Sequence, residues 1–170
     1  MSRKIIQRCP HCGKNFEVEH EQFELLLSGK SACPACGSLI PWGEELKISE
    51  GTPFKVTKVK DIGIVTLTES KIIDEADVEK LTEGFTELVE RHRLRKVVVN
   101  FHDVKYLGSH AYAAFKALYK RLKSEDGHLR LCNIDKGIRE LFDYGGDPPP
   151  FLGRIRNSLA EAVEDLRPQG

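Results

Sequence analysis

The chain has 170 residues, a length that fits one domain or one domain with a small module attached. Hydrophobic residues make up 40% of it and charged residues 31%, which excludes a disordered chain. The 26 basic and 26 acidic side chains balance to zero net charge, so no global field draws the protein to nucleic acid or to an anionic membrane. Its apolar runs fall far short of the about 20 residues that a membrane helix needs. The segment Met1–Arg8 has no signal-peptide core, so a cytoplasmic protein with no membrane partner is expected.

Four of the five cysteines stand as Cys9-Pro-His-Cys12 and Cys33-Pro-Ala-Cys36, with 20 residues between the pairs. Two sulfurs three positions apart can turn inward around a tight knuckle, and two knuckles supply the four tetrahedral ligands that Zn2+ prefers. Each pair has a proline after its first cysteine and a glycine after its second, Gly13 and Gly37, where a positive φ would aim backbone amides at sulfur. Cys9, Cys12, Cys33 and Cys36 are therefore the predicted ligands of a structural zinc ribbon. Iron in a rubredoxin-like knuckle site is the minor alternative, and His11 reads as a solvent-facing knuckle residue. Four thiolates leave no open coordination position, so the ribbon is not catalytic. Residues 1–51 carry six basic and seven acidic groups with no basic stripe, which disfavours nucleic acid. Phe16–Leu27 reads as a strand and a helical turn with an acidic outer face. Trp42 reads as packing on the small ribbon core.

A boundary is placed near Gly51, dividing a zinc-ribbon module, 1–51, from a second domain, 52–170, opened by Pro53. Period-two alternation predicts strands over Phe54–Lys60 and Ile62–Thr68, joined as a hairpin. Apolar residues at helical spacing predict a helix over Asp74–His92, with Val78, Leu81, Phe85, Leu88 and Val89 on its stripe. The nearly all-apolar run Lys96–Phe101 reads as a central strand. A second helix follows over Ser109–Lys123, then a strand over Leu129–Ile134, in which Cys132 reads as a small buried hydrophobe. Helices over Lys136–Tyr144 and Ser158–Leu166 close the chain, the last capped by Ser158 and stopped by Pro168. The run Gly145–Pro150 is a loop. The order β-β-α-β-α-β-α-α predicts an α/β domain with a mixed sheet, largely parallel, with one antiparallel hairpin at its start.

No catalytic constellation is visible in the second domain, so the protein is read as no enzyme. Its polar cluster between a strand and a helix is Asn100–His110, beyond a strand's carboxyl end, where open α/β sheets place function. Val98-Val-Asn-Phe-His-Asp-Val104 followed by Tyr106-Leu-Gly-Ser-His-Ala111, with Leu129–Ile134 and Ile138-Arg-Glu-Leu-Phe142, resembles the STAS domain of anti-sigma factor antagonists over residues 53–167. The resemblance implies a partner switch. An unmodified domain binds an anti-sigma factor or a serine kinase-like protein, and phosphorylation of the hydroxyl that maps onto Ser109 releases it.

In that reading Gly108, Ser109, His110, His102 and Asp103 form the partner surface. Ser109 is also expected to cap the helix, a bond worth ~1 kcal/mol. The sequence departs from the family pattern at Gly108, His110 and Ala111, and Asn100 stands where an aspartate is common. A pH-sensitive or metal-binding role for His102, Asp103 and His110 is weighed against a plain solvated loop, and the loop is preferred. A phosphorylation-independent adaptor, and a nucleic-acid-binding ribbon fused to a dimeric interaction domain, are the alternative functions. A homodimer is compatible with either.

Overall fold

The computed structural model describes residues 4–9, 12–19, 30–37, 39–41, 44–59, 61–144, 151 and 153–166. His11, Trp42, residues 20–27 of the acidic stretch, Gly145–Pro150 and Pro168 lie outside the described residues. The chain divides into two compact units, Met1–Glu44 and Glu45–Gly170. The division lies ahead of the Gly51 boundary expected from the sequence. Leu46 and Ile48 pack against the large hydrophobic core and draw their segment into the second unit.

The first unit contains two small antiparallel ribbons. β1 (Lys4–Arg8) pairs with β2 (Asn15–Glu19), and β3 (Lys30–Ala32) pairs with β4 (Leu39–Pro41). Its buried cluster among the described residues is Cys9 and Cys33, with Phe16 packed against them. That is little apolar surface to offset the chain entropy of ordering the described strands.

The second unit is built on a six-stranded sheet in the order β12-β11-β9-β7-β6-β5. Its strands are β5 (Glu44–Leu46), β6 (Phe54–Val59), β7 (Ile62–Leu67), β9 (Lys96–Asn100), β11 (His128–Cys132) and β12 (Ile155–Arg156). The expected hairpin is present, with β6 and β7 antiparallel from Phe54↔Leu67 to Val59↔Ile62. β7, β9, β11 and β12 then run parallel. Four helices cross over: α1 (Glu75–Glu90), α2 (Ser109–Ser124), α3 (Lys136–Tyr144) and α4 (Leu159–Leu166).

β9 sits at the middle because Val97, Val98 and Val99 are all fully buried. Val97 and Val99 belong to the cluster that α1 and α2 cover with Leu81, Phe85, Leu88, Ala114, Phe115 and Leu118. Side chains alternate along a strand, so Val98 points to the other face, where α4 lies against β9 and β11. A chain of aromatic rings runs through the larger core. Phe54, Phe85, Phe115, Phe101, Phe142 and Phe151 follow one another at centroid distances between 5.0 and 5.5 Å.

Gly84 lies inside α1 because the helix approaches β6 closely there. A Cβ at this position would stand 2.6 Å from Cζ of Phe54 and 2.8 Å from Cγ2 of Thr52. The Phe54 ring is buried and stacked on Phe85, so it cannot swing aside. Gly84→Ala is expected to lower unfolding stability in urea by up to about 2 kcal/mol. Overpacking of about 1–3 kcal/mol outweighs the gain of about 1 kcal/mol in helix propensity.

Helix α4 starts as expected, with the Glu161 N–H donating to Oγ of Ser158 at 3.2 Å. It is clamped to the sheet edge by Asp165, which accepts from Arg130 of β11 and, at 2.9 Å, from Arg156 of β12. Desolvation pushes this carboxyl upward, but the hydrogen bonds and charges of Arg130 and Arg156 outweigh it and hold the group below its ordinary 3.8. A depressed carboxyl contributes stability above its unfolded value and loses that contribution as pH falls through the folded one. Asp165→Asn should therefore cost about 1 kcal/mol at neutral pH, a small figure because the group is part-exposed and screened. In denaturation curves the difference from the parent should shrink as pH falls below 3.8 and vanish only below the depressed folded-state value.

Candidate functional site

Two groups of residues carry chemistry, one in each unit. In the first unit the sulfurs of Cys9, Cys12, Cys33 and Cys36 all lie within 4.8 Å of one another. The two knuckles bring them together by the same backbone device. The Gly13 N–H donates to the Cys9 carbonyl at 2.9 Å, and the Gly37 N–H donates to the Cys33 carbonyl at 2.8 Å. Both glycines take the left-handed conformation, at φ 73° and 74°, which a side chain would strain. The Ala35 amide lies 3.4 Å from Sγ of Cys33 as a donor to it, as the glycine turn was expected to permit.

The spacing of the sulfurs tests the donor set. A tetrahedral zinc with Zn–S bonds of about 2.3 Å has sulfur–sulfur edges of about 3.8 Å. Cys9 and Cys36 are 3.8 Å apart, and so are Cys12 and Cys33. Four soft sulfurs within 4.8 Å of one another, two pairs of them at the tetrahedral-edge distance, are compatible with a zinc site. Among the described residues this is the only gathering of three or more metal-ligating side chains, and His102, Asp103 and His110 do not form another.

The Lys14 backbone lowers the Cys12 thiol by hydrogen bonding. Desolvation and the three neighbouring thiols outweigh that and push it up to about 11. A metal must displace these protons, so affinity is expected to fall as pH falls. Chelation of zinc-loaded protein is expected to abolish hydrogen-exchange protection in β1–β4 and to spare β7, β9 and β11, read residue by residue by NMR.

In the second unit, β9 ends at Asn100, the buried polar residue of the core at 8% exposure. Its Oδ1 accepts from the His102 N–H at 3.1 Å and from Nδ2 of Asn133 at 3.0 Å. Asn133 follows β11 in a left-handed conformation, φ 56°, which Asn tolerates better than most residues. One side-chain oxygen thus ties the loop after β9 to the loop after β11. The β11 strand stops at Cys132, short of the expected Ile134, because Asn133 turns the chain. Cys132 is fully buried, with Sγ directed at the Val99 carbonyl at 3.7 Å.

The loop then runs to a second, two-stranded parallel sheet. β8 (Lys71–Ile72) pairs with β10 (Tyr106–Leu107). The Lys105 N–H donates to the Ser70 carbonyl at 2.8 Å, and the Gly108 N–H donates to the Ile72 carbonyl at 2.9 Å. Sequence reasoning missed both strands, since two residues carry no readable period. It also missed what they display. Tyr106 and Ile73 are large apolar residues at 57% and 52% exposure, and the Lys71 ammonium lies 5.3 Å from the Tyr106 ring centre. Tyr and Ile close to a polar loop were a signal that could have been noticed.

Helix α2 opens from this loop. The expectation that Ser109 caps it is corrected. Gly108 holds the cap position with extended backbone, φ −78° and ψ 160°, and Ser109 is the first helical residue. The Gly108–Ile72 bond anchors the chain one residue earlier than the sequence suggested. Ser109 and His110 are exposed, and no acidic residue stands in the first turn. His102 and Asp103 are exposed too, with Nδ1 3.0 Å from Oδ1. The structure therefore presents Gly108, Ser109, His110, His102 and Asp103 on the loop and helix start at the carboxyl end of β9.

The family model of the STAS domain matches residues 54–162. A Bordetella bronchiseptica protein described as an anti-sigma factor antagonist, BtrV, is 24% identical over 117 residues, which cover 68% of this chain and all of that protein. The phosphorylated form of the Bacillus cell fate determinant SpoIIAA superposes with a TM-score of 0.56 at 16% identity, over 67% of this chain and 99% of that one. An anti-sigma-factor antagonist (STAS) domain protein of Planctomyces limnophilus gives 0.57 at 18% identity, over 68% and 98%. At these identities the solved structures speak for the fold. Among the described residues no helix is long and apolar enough to cross a membrane.

Proposed function

This chain belongs to the STAS domain family, and we propose that it is a non-catalytic, cytoplasmic regulator of the anti-sigma factor antagonist kind, switched at Ser109. It binds a protein partner, an anti-sigma factor or a serine kinase-like protein, through the surface formed by His102, Asp103, Gly108, Ser109 and His110. Phosphorylation of Ser109 releases the partner. The observation that carries this reading is the exposed hydroxyl at the first position of α2. A phosphoryl group there adds about −1.5 to −2 charges at the positive end of a helix, which the fold tolerates while a docked protein senses the change. A relative described as an anti-sigma factor antagonist and a STAS neighbour solved in a phosphorylated form support the same reading.

The cysteine cluster fits a structural Zn2+ that cross-links the first unit. The ribbon then adds partner specificity. Residues 1–51 carry no excess of basic charge, which speaks against nucleic acid as the ribbon's ligand.

A second reading is favoured by Gly108, His110 and Ala111, which depart from the family pattern around the acceptor. The domain would then be an adaptor that binds its partner whether or not Ser109 is modified. Binding of Ser109→Ala and Ser109→Asp to the partner captured by the parent protein separates the two. The switch predicts parent-like binding for Ser109→Ala and a loss of about tenfold or more for Ser109→Asp. An acid in the first helical turn is itself stabilising by about 0.3–1 kcal/mol, so an unchanged or raised melting temperature shows that lost binding is not unfolding. Equal binding by all three proteins establishes the adaptor instead.

A further inference from the structure

We propose that the outer face of the α1–α2 layer is a self-association surface whose occupant is a second copy of this chain. The argument begins with how charge is distributed. The chain is neutral as a whole, but its two sixteen-residue helices are not. α1 carries six acidic residues and one lysine, whereas α2 carries Lys116, Lys120, Arg121 and Lys123 and no acidic residue. The two helices pack side by side over one face of the sheet. The surface they share is therefore divided along its length into an acidic half and a basic half.

These charges face outward and are little used within the chain. Glu79, Glu83 and Lys120 are exposed, and Lys116 is half-buried. Among the described residues Glu90 and Arg121 form the one salt bridge between the two helices. Glu83 meets Lys80 of its own helix at 3.7 Å, an exposed pair of the kind that is worth little. Glu79, Lys116 and Lys120 have no ion-pair partner among the described residues. Between the two halves runs a groove of about 430 Å³, with Phe85 and Leu118 at its floor and the small side chains of Thr82, Thr86, Ala117 and Ser124 along its edges. Small edges let a second pair of helices approach closely.

Two-fold symmetry selects the occupant. An axis lying along the groove, parallel to the helices, sets α1 of one copy over α2 of the other and repeats the match on its far side. Acid then faces base twice. Glu90 and Arg121 fix the relative height of the two helices. Counting back at about 1.5 Å per residue brings Glu83 to within about 3 Å of the level of Lys116, a gap that two long side chains close. The large exposed apolar residues among those described, Ile6, Ile73 and Tyr106, all lie outside both helices. The association therefore rests on charge and is sensitive to salt. It does not rest on modification of Ser109.

The test is sedimentation equilibrium of the full-length, unmodified chain with zinc, in a reducing buffer that keeps the exposed Cys12 and Cys36 from linking copies. A monomer–dimer equilibrium is expected, weakened about tenfold or more between ~0.05 and ~0.5 M salt. Glu79→Lys with Glu83→Lys sets base against base and should weaken self-association about tenfold or more. Lys116→Glu with Lys120→Glu sets acid against acid and should do the same. An equimolar mixture of these two variants should dimerise about as well as the parent, because each reversed helix again meets its opposite. Glu79→Gln with Lys120→Gln, which keeps helix propensity, should weaken the parent dimer in the same direction. A parent that stays monomeric at ~1 mM in low salt overturns the proposal and leaves the face to a different protein. Variants that dimerise like the parent, or a mixture that stays monomeric, overturn it as well.

Discussion

The second unit depends on one strand. β9 contributes three consecutive valines that are wholly buried, with a parallel neighbour on each edge and helices on each face. A strand so enclosed cannot move without exposing both cores. Its register with β7 and β11 is therefore fixed, since a slip of one residue would exchange the faces of Val97, Val98 and Val99. Everything the domain presents at its carboxyl edge inherits that rigidity. Asn100 is the first residue past the apolar run, and its side chain converts the end of the strand into a junction between two loops.

The first unit obeys a different constraint. Among its described residues it has no such strand, and its buried cluster is two cysteines and a packed phenylalanine. Its geometry comes from two glycine turns that aim sulfurs inward. One chain thus holds two kinds of stability. In the first unit, the stability proposed is that of a metal held by four sulfurs gathered within 4.8 Å of one another. In the second it comes from apolar area removed from water, through six rings in sequence and two layers of helices.

The proposed partner surface joins a rigid frame to a short, charged and partly apolar rim. Polar His102, Asp103, Ser109 and His110 lie on the same loop and helix start as Tyr106, and Ile73 follows the strand that pairs with it. If Ser109 is the switch proposed above, exposed aromatic and aliphatic side chains near its hydroxyl combine adhesion with a means of interrupting it. Under the proposed function the apolar residues would supply affinity, and the charge state at the helix start would decide whether it is used.

Much of this was determined by the sequence alone. The spacing of Cys9, Cys12, Cys33 and Cys36 dictated the cluster, because a knuckle is local and its glycines have few other uses. The periods of Phe54–Lys60, Asp74–His92 and Ser109–Lys123 dictated a hairpin and two helices, because amphipathic repeats are also local. Tertiary structure alone decided the rest. The strand pair β8 and β10 exists only because Ser70 and Ile72 offer carbonyls to Lys105, Tyr106 and Gly108, more than 30 residues away. Those bonds moved the helix cap from Ser109 to Gly108 and freed the serine side chain from capping. Asn100 gained its role from Asn133, again a distant partner. Local patterns are written in neighbouring residues, whereas the closing of a loop and the cap of a helix depend on which remote carbonyl the folded sheet brings within reach.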